Sequence, residues 1–241
     1  MLAKDFEETW PGKNYFFVHI PKTGGTSLFD WFCQIFGPDR CCEHIENLVL
    51  PQPSAETVDH LSGYRVLSGH VPIDHYYYFG AADFLPLTLV RDPAAQFFSH
   101  VHHIRSAELG DGLLRRIQDK LARSAGYFLE HAAHDELAFF ESSQSKPIFG
   151  GSIDWRAMKL ADRMDWLRKT YAAVITTETM QQELALMPGL DSVARPPVRR
   201  LNAKYYRPDP LTPGQQEILD ILLRQDRCLH HALTQRAFSS A

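Results

Sequence analysis

The segment HIPKTGGTSL, residues 19–28, constrains the fold more than any other part of this chain. It overlaps the end of residues 15–20, a short aromatic and β-branched run that predicts a buried strand. Residues 27–36 then carry apolar side chains at helical spacing, and Gly37 followed by Pro38 ends the helix. A strand that passes through a glycine-containing turn into a helix is typical of parallel α/β architecture.

The rest of the chain continues this alternation of strands and helices. Further strands are predicted over residues 64–71, 85–90 and 172–177. Helices are predicted to start near Pro93 and at Thr212, to occur within residues 111–141, and to follow residue 177 as far as Met187. Residues 142–152, with Pro147 and paired glycines, are predicted to form a loop. We therefore expect an α/β fold with a central parallel sheet flanked by helices, which binds ligands at the carboxyl ends of its strands.

Composition limits the classes of function. The 241 residues are 44% hydrophobic, which suits a single domain over residues 1–241. A net charge of -4 argues against binding nucleic acid or an anionic membrane through bulk positive charge. Charged residues near the start exclude the apolar core of a signal peptide there, and no apolar run is long enough to span a bilayer. The four cysteines lack CxxC spacing, so free thiols in a cytoplasmic protein are expected.

The glycine-containing turn has the features of an anion-binding loop. Gly24 and Gly25 allow backbone N–H groups to approach an anion, and the helix that follows contributes its positive N-terminal end. Lys22 adds a cation, while Thr26 and Ser27 add hydroxyl donors. The lysine precedes the glycines, unlike in the nucleotide triphosphatase loop GxxxxGK[ST], which argues against an ordinary ATPase.

PKTGGTSL after a hydrophobic strand resembles the 5′-phosphosulfate loop of sulfotransferases that use PAPS, 3′-phosphoadenosine 5′-phosphosulfate. The resemblance is to the branch that includes heparan sulfate 2-O-sulfotransferases and bacterial relatives. It implies a P-loop-like PAPS sulfotransferase fold in which Lys22 contacts the oxygen that joins phosphate to sulfate. The implied donor-binding residues of the loop are Pro21, Lys22, Thr23, Gly24, Gly25, Thr26 and Ser27.

A second motif, LVRDPAAQFFSH, supplies groups for the 3′-phosphate of such a donor. Arg91 follows a predicted strand and offers a planar fork of donors, and Asp92 is placed to cap the next helix. The motif is similar to the family pattern RDPxxRxxS, which implies that Arg91 and Ser99 bind the 3′-phosphate. Gln96 stands where the family usually has a second arginine.

His70 is the predicted general base. It follows Gly69 at a predicted strand end, and an ordinary histidine pKa of about 6.5 leaves it neutral at physiological pH. The segment SGHV is also similar to a GHV segment whose histidine serves as the base in 2-O-sulfotransferases. The resemblance therefore implies Lys22 and His70 as catalytic residues.

Other segments leave alternatives open. Arg199 and Arg200 belong to a basic stretch that either closes over the phosphates of PAPS, binds an acidic acceptor, or remains a solvated loop. His102 or His103 and the aromatic run 76–79 either face the acceptor or serve in packing and at the surface. The histidine and cysteine groups lack four ligands at a recognised spacing, so we expect no metal.

The predicted reaction is sulfuryl transfer from PAPS to a hydroxyl or amine of a carbohydrate or small metabolite, which leaves PAP, the desulfated product. One alternative is a nucleotide-dependent small-molecule kinase or hydrolase. The other is a PAPS-binding protein that has lost catalysis, which the Gln96 departure makes conceivable. The sequence predicts no nucleic-acid partner and leaves the acceptor and a homo-oligomer open.

Overall fold

The computed structural model describes residues 13–185 and 208–239. Its sheet has five strands in the order β2-β3-β1-β4-β5, and every neighbouring pair is parallel. In chain order the strands are β1 (Asn14–Val18), β2 (Cys41–Cys42), β3 (Val66–Gly69), β4 (Phe84–Val90) and β5 (Ala173–Thr176). The predicted α/β class, with a central parallel sheet flanked by helices, is confirmed.

Helices follow or connect the strands. They are α1 (Gly25–Phe36), α2 (Glu46–Val49), α3 (Ala55–Ser62), α4 (Pro93–Ser106), α5 (Leu113–Leu121), α6 (Ala125–His131), α7 (His134–Phe140), α8 (Ser145–Phe149), α9 (Leu160–Thr170), α10 (Met180–Ala185), α11 (Pro213–Leu222) and α12 (Arg224–Ser239), with 3-10 helices at Pro38–Arg40 and Ile73–Ala82. Among the helices of the described ranges, none has both the length and the apolar character needed to cross a membrane.

Both faces of the sheet are covered, as a parallel sheet requires. Side chains alternate along β1, so Phe16 and Val18 join one apolar cluster while Tyr15 and Phe17 join another. The first cluster includes side chains of α8, α9 and α12, and the second includes side chains of α1. A third apolar cluster joins α4, α5, α6, α7 and α11 beside the sheet.

The structure corrects the sequence prediction at several places. Residues 142–152 contain α8 rather than loop alone, because buried Asp226 of α12 accepts hydrogen bonds from the amides of Gln144 and Ser145 at the start of that helix. The helical stretch 111–141 is divided into three helices, with Ser124 capping the second. Two-residue β2 was not predicted. The prediction that a helix extends to Met187 passes beyond the described residues, since α10 is described to Ala185.

Candidate active site

A cavity of about 1230 Å³ opens at the carboxyl ends of the strands. Because all five strands are parallel, the segments that follow them meet at one edge of the sheet. Each strand supplies lining residues: β1 leads to the loop that begins at His19, β2 to Glu43 and His44, β3 to His70, β4 to Arg91, and β5 to Thr177 and Glu178.

The loop between β1 and α1 is held tightly. Lys22 and Gly24 both have left-handed backbone conformations, with φ of 67° and 98°. Gly25 lies directly against His19, since a Cβ at that position would come within 2.1 Å of the His19 Cδ2 atom. The Thr177 hydroxyl, which follows β5, donates a hydrogen bond to the carbonyl of Thr23. The turn is therefore shaped by its own backbone and by the end of β5.

The start of α1 is suited to an anion. Gly24 provides no side-chain cap, and the first turn contains no acidic residue. The first amides of a helix lack partners within it and carry partial positive charge. Thr26 and Ser27 line the cavity beside these amides. Thr23 does not line it, because its buried side chain donates to the carbonyl of Ile20 at 2.9 Å.

Lys22 and Arg91 meet at this end of the cavity. An Nη1 atom of Arg91 donates to the backbone carbonyl of Lys22 at 3.2 Å, and both residues line the cavity. Burial lowers the pKa of the Lys22 amine, and the Arg91 charge lowers it further. Within the described ranges, neither cation pairs with a carboxylate. Two adjacent cations without a counter-charge from the described residues are suited to an anionic ligand.

The backbone of Arg91 is also fixed. The Gln144 side chain accepts from the Arg91 amide at 2.9 Å and donates to the Arg91 carbonyl at 2.8 Å. Next to it, Asp92 caps α4 by accepting from the amide of Ala95 at 2.8 Å, as predicted. Ser99, farther along α4, lines the same cavity. The structure thus brings Arg91 and Ser99 to one cavity with the glycine-containing loop.

Gln96 serves the scaffold of the site. It is 1% exposed, its amide nitrogen donates to the Pro21 carbonyl at 2.9 Å, and its oxygen accepts from the Ser143 hydroxyl at 3.0 Å. Gln96 therefore ties α4 to the glycine-containing loop and does not line the cavity.

His70 is held by Glu46. One carboxylate oxygen of Glu46 accepts from the His70 amide at 2.9 Å, and the other lies 3.5 Å from the His70 Nδ1 atom. That second oxygen is also 3.0 Å from Nδ1 of His44. Burial lowers the pKa of His70, although the Glu46 charge opposes this shift. A neutral imidazole is thus favoured at neutral pH.

Two further histidines of the site were not assigned a role from the sequence. His19 is 7% exposed, stacks on Phe17 and lies 4.8 Å from His70 between ring centroids. Burial, aided by neighbouring imidazoles, lowers the pKa of His19 to about 3. Burial likewise lowers the pKa of His100, which contacts Phe139, to about 4. Neither residue follows a pattern that would reveal this burial, because the packed partners come from other elements.

Glu46, His44 and His70 place three potential ligand atoms within 4.8 Å of one another. Imidazole nitrogen and carboxylate oxygen are donors that zinc accepts. In the structure one Glu46 oxygen lies 3.0 Å from Nδ1 of His44 and 3.5 Å from Nδ1 of His70. The absence of a metal requirement stays a prediction. Glu46 was not identified from the sequence, since it lies in a weakly patterned stretch far from His70.

The remaining sequence candidates differ in their position relative to the cavity. Arg199 and Arg200 lie outside the described residues. In the aromatic run 76–79, Phe79 is buried in the core while Tyr77 is 56% exposed, and neither lines the cavity. His102 and His103 of α4 do line it.

The chain is similar in structure to a known protein, although its sequence matches no family model. No protein-family model and no curated protein matches the chain. A solved structure that is similar is that of the mouse sulfotransferase SULT7A1 complexed with PAP. The two chains share 15% identity with a TM-score of 0.36, and the match covers 98% of this chain and 94% of that one. At this level of similarity the function has to be inferred from the site residues.

Proposed function

We propose that this protein is a PAPS-dependent sulfotransferase that transfers the sulfuryl group to an acceptor hydroxyl or amine. The observation that carries this proposal is the meeting of Lys22 and Arg91, without counter-charges among the described residues, beside the uncapped start of α1. This arrangement agrees with the resemblance of both loop motifs to those of the family. The family's P-loop-like fold and a single domain belong to the same proposal.

The residues present fit the donor. The amides at the start of α1, with Thr26, Ser27 and Lys22, would hold the 5′-phosphosulfate. Arg91 and Ser99 would hold the 3′-phosphate, with Arg91 offering its guanidinium fork. PAPS, when bound, supplies an activated sulfuryl group. Lys22 would hold positive charge beside the oxygen that leaves with the phosphate, where negative charge develops.

His70 would accept the proton of the acceptor. With its Nδ1 atom directed to Glu46 at 3.5 Å, the Nε2 atom is left for the acceptor hydroxyl. Its lowered pKa keeps the imidazole neutral at neutral pH, as a base requires. Glu46 would act as a positioning residue, because it holds both the backbone and the ring of His70.

Donor selectivity tests the proposal first. PAP should raise the melting temperature far more than AMP or ATP, because only PAP carries the 3′-phosphate that Arg91 and Ser99 would bind. Lys22→Ala and Arg91→Ala should each reduce the shift. Equal stabilisation by ATP would instead support the kinase alternative. We expect EDTA to leave both the PAP shift and the transfer rate unchanged.

Transfer of radiolabelled sulfate from PAPS tests the reaction, with phenols, alcohols, amines and sugars as acceptors. His70→Ala should lower kcat about 10²- to 10⁴-fold while the PAP-induced shift remains. His134→Ala, at an exposed position on α7 outside the cavity lining, is the control. An unchanged rate in His70→Ala would remove His70 from the mechanism. Binding of PAP without transfer to any acceptor would favour a PAPS-binding protein without catalysis.

A further inference from the structure

The cavity extends well beyond the residues proposed for the donor. Its volume of about 1230 Å³ exceeds the roughly 300–1,000 Å³ of a typical site for one small molecule. Ala95, Ser99 and His102 lie along one face of α4, and Ile104 in its last turn also lines the cavity. From Ala95 to Ile104 the helix rises about 14 Å at about 1.5 Å per residue. A second ligand therefore has space beside the donor.

The part of the cavity lining contributed by the end of α4, the next loop, α5 and α7 is apolar. Between His103 and Thr177 in the sequence, the lining residues come from the end of α4, the next loop, α5 and α7; they are Ile104, Ala107, Leu109, Leu114 and Phe139. Leu109 and Phe139 pack against the third apolar cluster from the cavity side. Leu114 is 37% exposed, although it is large and apolar. An exposed apolar surface inside a cavity is typical of a ligand site.

Charge in the cavity is concentrated at the donor end. Among the described lining residues, Lys22 is the single lysine and Arg91 the single arginine. The described apolar part therefore contains neither residue type. Glu43 and Glu178 add negative charge to the lining. Burial lowers the pKa values of His100 and His103, so these histidines add little positive charge at neutral pH. Within the described part of the chain, an acidic glycan would find no lysine or arginine in this apolar part to pair with its carboxylates or sulfates.

The geometry points to an uncharged acceptor with an apolar body, such as a fused-ring phenol, bound between α4, Leu114 and Phe139 with its hydroxyl toward His70. This inference rests on the proposed sulfotransferase function for its reaction, but binding in the apolar part is independent of it. Phe139 offers its ring to a planar ligand, and His100 joins this surface to the residues around Lys22 and His70. The acceptor class thus differs from the acidic glycans of the branch that the sequence resembles.

A matched pair of probes tests the inference. Binding of 2-naphthol and of 6-hydroxy-2-naphthoate, which adds one carboxylate to the same rings, is measured by calorimetry with and without saturating PAP. We expect 2-naphthol to bind at least tenfold more tightly. In sulfation assays with PAPS as the donor, we expect the kcat/KM for 2-naphthol to exceed the values for the naphthoate and for a uronate-containing disaccharide by a similar factor. Equal binding, stronger binding of an anionic probe, or no binding of 2-naphthol would overturn the inference.

Substitution locates the binding surface. Leu114→Lys places a cation in the apolar part and should reduce the preference for 2-naphthol over the naphthoate at least fivefold. Leu160→Lys is the matched control, because Leu160 is 38% exposed and does not line the cavity. Equal effects of the two variants would overturn the assigned location. If PAP does not bind but 2-naphthol does, the proposed function fails while the apolar site stands. If PAP binds and sulfation favours the disaccharide, the proposed function stands while the inferred apolar acceptor fails.

Discussion

At the scale of single residues, Glu46 links the proposed base to the scaffold. We expect Glu46→Gln to lower kcat about 10- to 100-fold with little change in the KM for PAPS, because the ring of His70 loses its orienting charge. The Glu46 charge raises the pKa of His70, and activity requires neutral His70. The acidic limb of the kcat/KM profile should therefore move to lower pH. An unchanged kcat together with an unchanged pH profile of kcat/KM would contradict the positioning role of Glu46. Glu56→Gln, at an exposed position on α3, is the control.

Gly25 is a second residue at which close packing determines which side chain is tolerated. An alanine Cβ there would meet the His19 ring at 2.1 Å, so His19 or the loop has to move. We expect Gly25→Ala to lower the free energy of unfolding by about 1–3 kcal/mol and to weaken PAP binding. Gly214→Ala is the control, since that helical position has open space around it and alanine should stabilise by about 0.5–1 kcal/mol. Denaturant unfolding and calorimetry measure both effects, and retained stability with unchanged PAP binding would refute the expectation.

At the scale of elements, α12 supports the site through α8. The Asp226 carboxylate, 1% exposed, accepts from the amides of Gln144 and Ser145 and from the Ser145 hydroxyl. Gln144 in turn holds the backbone of Arg91. This chain of contacts transmits the position of α12 to the proposed 3′-phosphate site.

We expect Asp226→Ala to lower the free energy of unfolding by about 3 kcal/mol or more, because it leaves three buried donors without an acceptor. PAP affinity should fall with it, since Arg91 loses part of its support. Asp220→Ala serves as the control: its carboxylate is 46% exposed and should contribute less than about 1 kcal/mol. Chemical denaturation distinguishes the two variants, and similar effects would count against the proposed support.

At the scale of the whole molecule, buried His19 and partly buried His100 make stability depend on pH. His19 and His100 have folded pKa values of about 3 and about 4, below the ordinary value of about 6.5 in an unfolded chain. The unfolded chain therefore binds more protons, and stability decreases as pH falls from about 6.5 toward these folded values. Between pH 7 and pH 5 each histidine should lower the free energy of unfolding by about 2 kcal/mol. Urea unfolding across this range measures how the free energy of unfolding changes with pH. This dependence should be weaker in His19→Asn, and an unchanged dependence would contradict the contribution assigned to His19.

The sequence alone determined the local elements and indicated which groups to propose for anion binding. All four predicted strands correspond to strands of the structure. Residues 64–71 and 172–177 cover β3 and β5, residues 85–90 cover β4 apart from Phe84, and residues 15–20 cover β1 apart from Asn14. These predictions succeed because hydrophobic spacing and turn residues act within a few positions of the chain. Lys22 and Arg91, proposed from the sequence because each lies near a strand end, both line the cavity.

Tertiary structure decided what surrounds those groups. The order β2-β3-β1-β4-β5 places the segment after β2 beside the end of β3, which brings Glu46 to His70. It also decided that Gln96 is buried beneath the loop and that Phe139 lines the cavity. Strand order and helix docking depend on contacts between distant parts of the chain, and hydrophobic periodicity carries no record of which distant surfaces meet. For that reason the glycine-containing loop was predictable from the sequence, whereas the contact of Glu46 with the proposed base and the apolar part of the cavity were not.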